Sequence, residues 1–92
     1  MNVTINGGAL DSMDDFHAII ARELHFPVWY GMNLDALYDC LTDICEDTTV
    51  TLNNALAWFS HFGKDAVTAV RVMQDVSQMN PHFKFYFGID NL

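Results

Sequence analysis

The chain has 92 residues, 51% of them hydrophobic, and its 12 acidic and 4 basic side chains give a formal net charge of −8 at pH 7. This length and apolar content predict one domain over residues 1–92 with a single hydrophobic core, and they exclude a disordered chain. The acidity excludes nucleic acid and anionic membrane surfaces as partners and favours a basic protein partner. A charge that serves only to keep the protein in solution stays open as the simpler alternative.

The sequence predicts neither a membrane segment nor a secretion signal. No stretch approaches the ~18 apolar residues of a membrane-spanning helix, and the N-terminus lacks a basic region followed by an apolar one. We therefore expect a cytoplasmic protein. Its cysteines, Cys40 and Cys45, are predicted to be reduced and partly buried, because residues five apart on a helix point about 140° away from each other.

In chain order, apolar alternation predicts strands, and apolar stripes at helical spacing predict helices. Gly and Pro mark the turns between them. The predicted elements are a strand at 2–6, a helix from Asp11 or Ser12 to about His25, a connector at 26–32, a helix at 33–45, a strand at 48–52, a short helix from Asn53 or Asn54 to near Gly63, a longer helix at 64–79 and a strand at 82–87.

This order of elements predicts the fold class. Strands that are separated by helices and joined by right-handed crossovers form a parallel sheet with the helices packed against it. We therefore predict an α/β fold in which a small three-stranded parallel sheet is flanked by about four helices.

The most informative segment is the predicted helix at 33–45, with Asn33 as its N-cap. At 100° per residue, Asp35, Asp39 and Asp43 lie on one face with Thr42 beside them. The apolar side chains lie on another face; these are Leu34, Leu37, Leu41 and Cys45. Each pair of like charges four apart destabilises a helix by roughly 0.2–0.5 kcal/mol. A face that carries such a cost is expected to serve binding.

Aromatic side chains flank this acidic face. Trp29, beside Pro27 and Gly31 in the connector, is predicted to be exposed, whereas the burial of Tyr30 stays open. Tyr38 lies at the edge between the apolar stripe and the aspartates, where it can pack with one end and contact a partner with the other.

The sequence gives little support for catalysis or for metal binding. Asp35 and Asp39 could form a carboxylate pair, but a convex helix face lacks a desolvating pocket. The four histidines are scattered without metal-ligand spacing, and the acidic segment does not match an EF-hand loop. We predict no catalytic residue, no metal and no cofactor, and therefore a protein that is not an enzyme.

Several segments together resemble the barstar family of intracellular ribonuclease inhibitors. The resemblance covers nearly the whole chain and is strongest over residues 1–45. The segments that carry it are Ile5-Asn6-Gly7, Asp15-Phe16-His17, Glu23-Leu24, Pro27, Tyr30-Gly31 and the run Asn33-Leu34-Asp35-Ala36-Leu37-Tyr38-Asp39-Cys40-Leu41.

The resemblance implies an inhibitor that blocks the active site of a basic ribonuclease, or of a related nuclease toxin, with an acidic helix and the loop before it. Asp39 would then stand in for a substrate phosphate. The implied partner-binding residues are Trp29, Asn33, Asp35, Tyr38, Asp39, Thr42, Asp43 and Asp75. The alternative is a barstar-like binding or regulatory module for another basic partner, without nuclease inhibition.

The chain also departs from the family pattern. Trp29 stands where the family has Tyr, Tyr38 stands where it has Trp, and Met32 replaces a Glu. Asp43 replaces a Gly, and Asp75 is one methylene shorter than the family's glutamate. These changes redraw the aromatic and charged surface and imply a change in target specificity.

Overall fold

The computed structural model describes residues 1–89, which form three strands and three α-helices. The elements are β1 (Asn2–Asn6), α1 (Met13–Glu23), α2 (Leu34–Thr42), β2 (Thr48–Asn53), α3 (Ala55–Met79) and β3 (Phe83–Phe87), with a short 3-10 helix at Gly7–Ala9. The strands pair in parallel in the order β1-β2-β3. The prediction of an α/β fold with a three-stranded parallel sheet is confirmed.

The two faces of the sheet differ sharply in burial. The strand register places Val3, Val50 and Phe85 side by side on the buried face. The neighbouring row on the other face holds Thr4, Thr51 and Tyr86, which are exposed or half-buried. Successive right-handed crossovers that advance in one direction place their helices on the same side of a sheet. The fold is therefore two layers, with the helices on the apolar face and a polar face open to solvent.

The core between these layers is built from apolar side chains of every helix. Those with no exposed area include Phe16 and Ile20 of α1, Leu37 and Leu41 of α2, and Trp58 of α3. Burying a leucine or phenylalanine side chain contributes roughly 1.5–3 kcal/mol. The buried side of α2 therefore fixes the opposite, acidic side toward solvent.

The predicted number of about four helices is wrong by one. The two helices expected around Gly63 form one element, α3, whose helix continues past a kink. Gly63 lies at φ 51° and ψ −122°, a conformation that glycine alone adopts readily, so the chain changes direction there without a separating loop. The sequence signal for a break was correct, but the break is a kink.

One predicted helix boundary and one predicted capping interaction also need correction. Helix α2 ends at Thr42, so Cys45 lies in the following loop rather than on the helix. At the start of α3, Asn54 occupies the cap position in the left-handed conformation, with φ 59°, and its side chain makes no capping hydrogen bond. Within residues 1–89, no helix combines the length and the apolar character needed to cross a membrane.

Candidate functional site

The end of α1 directs the chain into the connector through a tight reversal at His25. The Phe26 N–H donates to the Ala21 carbonyl at 2.9 Å, and the His25 N–H donates to the Arg22 carbonyl at 3.4 Å. This pair of bonds is the Schellman arrangement that ends many helices, usually with glycine in the left-handed position. Here His25 takes that position, with φ 57°. The helix therefore ends sharply and turns the connector toward α2.

Residues Pro27 to Tyr30 form the turn that presents the exposed aromatic ring. The Tyr30 N–H donates to the Pro27 carbonyl at 2.9 Å, which closes a four-residue turn with Val28 and Trp29 at its tip. Val28 is fully exposed and Trp29 is 77% exposed. An exposed indole of this size is typical of an interface anchor. The prediction that Trp29 is exposed is confirmed.

Tyr30, next to Trp29, anchors this turn in the interior. It is buried, its ring centroid lies 5.0 Å from that of Phe26, and its hydroxyl lies 2.7 Å from Nδ1 of His17 on α1. Burial raises the pKa of Tyr30 and lowers the pKa of His17. Both side chains are thereby held in their neutral forms, and the turn is tied to α1 by one short hydrogen bond.

Asn33 begins α2, as the sequence predicted. Its Oδ1 accepts a hydrogen bond from the Ala36 N–H at 2.8 Å, and its Nδ2 donates to the Gly31 carbonyl at 3.3 Å. An asparagine in this position satisfies one of the unpaired N–H groups of the first helical turn. Asn33, which is predicted to bind a partner, therefore also fixes the start of the acidic helix.

The acidic face of α2 is open to solvent. Asp35 and Asp39 are exposed and lie one turn apart, while Asp43, also exposed, follows the last helical residue as the C-cap. Thr42 is half-buried, and its hydroxyl donates to the Asp39 carbonyl at 2.9 Å. None of these aspartates takes part in an ion pair formed within residues 1–89. Their charge is therefore available to a partner.

The far end of α2 is held by Asn80, which lies at the junction of α3 and β3. Its Nδ2 donates to the carbonyls of Leu41 and Ile44, each at 3.0 Å, and lies 3.4 Å from that of Thr42. Its Oδ1 accepts from the His82 N–H at 3.0 Å. Helix ends leave carbonyls without partners, and α2 has no basic residue in its last turn. This buried amide supplies the missing donor.

The connector and α2 together enclose a groove of about 360 Å³, which we call the Trp29 groove. Four predicted partner-binding residues line it, namely Trp29, Asp39, Thr42 and Asp43. A second cavity of about 450 Å³ shares Trp29 and Asp43 and extends toward Leu24 and the loop after α2. The structure thus brings an exposed ring, carboxylates and a hydroxyl together around one concave surface.

Two predicted partner-binding residues, Tyr38 on α2 and Asp75 on α3, lie where α2 faces the end of α3. The Tyr38 hydroxyl donates to Sδ of Met79 at 3.3 Å, and Tyr38 is 38% exposed, which fits its predicted edge position. Asp75 is exposed and precedes Met79 by four residues, so the two share one face of α3. Tyr38 and Asp75 therefore border the same side of the molecule but do not line the Trp29 groove.

The cysteines differ in their surroundings. Both are free thiols, but Cys45 is exposed, so the prediction of partial burial is wrong for it; Cys40 is half-buried, as predicted. Burial, together with the carboxylates of Asp43 and Asp39, raises the pKa of Cys40. A thiol held protonated is a weak nucleophile. Cys40, which lines the Trp29 groove, is accordingly a weaker nucleophile than a cysteine of ordinary pKa.

The arrangement does not resemble a metal centre. Among residues 1–89, no group of three or more His, Cys, Asp or Glu side chains is placed to hold a metal ion. The carboxylates of α2 and of its C-cap follow one another at about one-turn intervals along the helix. What they can do is pair with donors of a partner that covers the helix.

The sequence prediction missed two residues that position this surface. His17 is not among the predicted site residues, but its ring is buried and reaches Tyr30. Asn80 is not among them either, but its side chain binds carbonyls at the far end of α2. For Asn80 the sequence carries one signal. The residues just after Thr42 include neither a glycine nor a basic side chain that could end α2, so its last carbonyls need a donor from another part of the chain.

Comparison with known proteins identifies the family. Residues 1–89 match the family model described as Barstar (barnase inhibitor), a span that includes every strand and helix and both cavities. A Bacillus subtilis (strain 168) protein named "Putative ribonuclease inhibitor YrdF" is 31% identical over 77 residues, which are 83% of this chain and 85% of that protein. The family's description is that of a protein that acts by binding. With its parallel sheet, its capped acidic helix and a match over residues 1–89, the chain belongs to the barstar family.

Proposed function

We propose that the chain is a cytoplasmic inhibitor of a basic, barnase-type ribonuclease, and that it blocks the enzyme's active site in a one-to-one complex. Helix α2 and the connector before it form the inhibitory surface. The observation that carries this proposal is the acidic face of α2, whose aspartates are exposed and have no cationic partner within residues 1–89.

The charge distribution supports a strongly basic target. Residues 24–63 contain no Lys or Arg, so the acidic face lies in a wide region without compensating positive charge. A ribonuclease binds a polyanion and therefore presents cationic side chains in its active site. The carboxylate of Asp39 takes the place of a substrate phosphate among such donors, where charge-assisted hydrogen bonds are strong.

The geometry supports a contact that extends beyond charge. The exposed ring of Trp29 stands at the rim of the groove that contains Asp39. Tyr38 and Asp75 continue the surface toward the end of α3. An aromatic anchor beside a charged centre is a common arrangement in protein interfaces, because the ring excludes water from the ion pairs around it.

The test is to titrate a barnase-type ribonuclease with the purified protein and to measure association rates at increasing salt. We expect activity to be lost at one inhibitor per enzyme. The association rate should fall by more than about tenfold between roughly 0.01 M and 1 M salt, because attraction between exposed charges is screened over distances near 8–10 Å at physiological ionic strength. A metal chelator should leave the inhibition unchanged.

Matched variants sharpen this test. The double variant Asp35→Asn and Asp39→Asn should associate more slowly and lose much of its salt dependence, whereas Asp65→Asn, which removes an exposed charge from α3, should behave nearly as wild type. An association rate that does not change with salt would contradict the electrostatic part of the proposal. Failure to inhibit any of a panel of basic ribonucleases would favour a binding module for another basic partner.

A further inference from the structure

The exposed turn that carries Trp29 has an anchor whose chemistry depends on pH. Val28 and Trp29 project into solvent, so the position of the turn depends on its flanking residues, and Tyr30 is the buried one. The Tyr30 hydroxyl has one hydrogen-bond partner within residues 1–89, which is Nδ1 of His17 at 2.7 Å. The two ring centroids lie 5.7 Å apart. This hydrogen bond therefore ties the buried end of the turn to α1.

We propose that His17 is the residue that positions the Trp29 turn, and that only its neutral imidazole does so. When His17 takes up a proton, the turn loosens and the protein binds its target more weakly. The effect on the target rests on the proposed function, whereas the effect on the turn is a property of the free protein.

The hydrogen bond explains why protonation matters. A neutral imidazole that carries its proton on Nε2 accepts the hydrogen of the Tyr30 hydroxyl at Nδ1. In the charged ring both nitrogens are donors, so the hydroxyl must turn its oxygen toward Nδ1 and its hydrogen must find another acceptor. Within residues 1–89 the Tyr30 hydroxyl has no hydrogen-bond partner other than His17. The charged ring would also be buried, and burial penalises a charge.

The groups around this pair decide the direction of the effect. Asp14, on the same helix, favours the charged imidazole, but burial outweighs it and lowers the pKa of His17. On the connector, burial raises the pKa of Tyr30, and the nearby thiol of Cys40 on α2 raises it further, so the hydroxyl keeps its proton. Because the folded state binds the proton less readily than the unfolded chain does, the contribution of this pair is complete above about pH 6.5. It decreases as the pH falls from there toward the lowered pKa.

The first test uses the free protein. Nuclear magnetic resonance would follow the imidazole of His17 and the indole and amide signals of Trp29 between about pH 8 and pH 5. We expect the Trp29 signals to shift with the same midpoint as the His17 ring. In His17→Asn, whose side-chain oxygen can accept from Tyr30 but does not titrate, that shift should vanish. It should persist in the control His61→Asn, since His61 is exposed on α3.

Two further points keep this test decisive. His25 is a second imidazole that lines a cavity together with Trp29, and the comparison with His17→Asn separates the effects of the two rings. If His17→Asn does not fold, Tyr30→Phe keeps the aromatic ring and removes the hydroxyl, and Trp29 should then no longer follow His17. The proposal is wrong if the Trp29 signals do not change over the pH range in which His17 titrates. It is also wrong if they change by the same amount in His17→Asn.

The second test measures affinity for the ribonuclease at about pH 7.5 and at a pH below the midpoint that the first test finds for His17, for the wild type and His17→Asn. At each pH we compare the wild type with His17→Asn, because the enzyme's own titration affects both affinities equally and drops out of their ratio. We expect near-equal affinity at the higher pH. At the lower pH the wild type should bind about fivefold more weakly than the variant, a change of the size that one neutral hydrogen bond contributes. A ratio independent of pH contradicts the coupling. If no ribonuclease binds either protein, the proposed function fails, while the free-protein titration still decides the role of His17.

Discussion

The two sides of α2 contribute to the stability of the fold with opposite signs. Leu37 and Leu41 face the core with no exposed area, and each stabilises the fold by roughly 1.5–3 kcal/mol. On the opposite side, Asp35 and Asp39 repel each other at a cost of roughly 0.2–0.5 kcal/mol. The favourable term is several times the unfavourable one. A helix that is firmly held on one side can therefore present an unfavourable charge pattern on the other.

The two ends of α2 differ in the same way as its two sides. At the start, Asn33 caps the helix from within the same segment, through its bond to the Ala36 N–H. At the end, the cap comes from Asn80, 39 residues beyond Leu41. The first arrangement forms wherever the local sequence forms a helix. The second exists only after α3 and β3 have folded against α2.

The largest expected effect concerns the exposed side alone. Asp39→Ala should weaken binding to the target ribonuclease by about 2–5 kcal/mol, because it leaves the enzyme's buried cations without a partner. Asp35→Ala should cost less, and Asp43→Ala should cost little because it lies beyond the helix. The thermal midpoint of Asp39→Ala should be unchanged or slightly higher, since like-charge repulsion is removed.

Binding calorimetry and thermal unfolding on the same preparations check this prediction. Asp65→Ala, an exposed acid on α3 near Gly63, is the matched control and should leave affinity nearly unchanged. If Asp39→Ala binds as tightly as wild type, the acidic side of α2 does not serve binding. If Asp39→Ala unfolds the domain, that side contributes to stability, contrary to our interpretation.

The next effect concerns the distant cap. Asn80→Ala should lower the free energy of unfolding by about 2–3 kcal/mol, because it leaves buried carbonyls at the end of α2 without a donor. Denaturant-induced unfolding measures this directly. Asn80→Asp is the matched variant, since it keeps the size and the acceptor for His82 but removes the donor. It should be at least as destabilised, and a near-native stability for Asn80→Asp would refute the capping role.

The smallest effect concerns the local cap. Asn33→Ala should lower the free energy of unfolding by about 1 kcal/mol, the usual contribution of an N-cap side chain. Asn33→Ser, which retains a capping oxygen, should recover most of that loss. The same unfolding experiment serves for both variants. A larger loss for Asn33→Ala than for Asn80→Ala would reverse the order that we infer for the two ends.

Local patterns were enough to predict the strands. Residues 2–6 alternate between the two faces, and β1 has the predicted limits, while β2 and β3 differ from their predicted limits by one residue. A difference in the limits leaves the two faces unchanged, whereas a one-residue shift of the pairing register would move every side chain to the other face. Of the two predicted starts of α1, Asp11 and Ser12, the structure has Ser12 as the cap, whose hydroxyl accepts from the Asp15 N–H within the same turn at 3.0 Å.

Local patterns were insufficient where packing decides the backbone. Gly63 and Asn54 both carry signals of a helix boundary in the sequence. In the structure, Gly63 lies at a kink within α3, and Asn54 takes a left-handed conformation without capping through its side chain. The neighbouring residues alone do not distinguish a kink from a loop at Gly63, or a side-chain cap from a left-handed turn at Asn54. The reason is that the direction of the following segment depends on how it packs against the core.

For the functional surface, the sequence by itself determined the acidic face, the helix that carries it and the exposed ring of Trp29. Each follows from periodicity or from the chemistry of neighbouring residues, which act over one or two turns. Only the tertiary structure decided that Asn80 completes α2 and that His17 holds Tyr30. The physical reason is that buried polar groups must find partners wherever the fold brings them, and proximity in space does not follow from spacing along the chain.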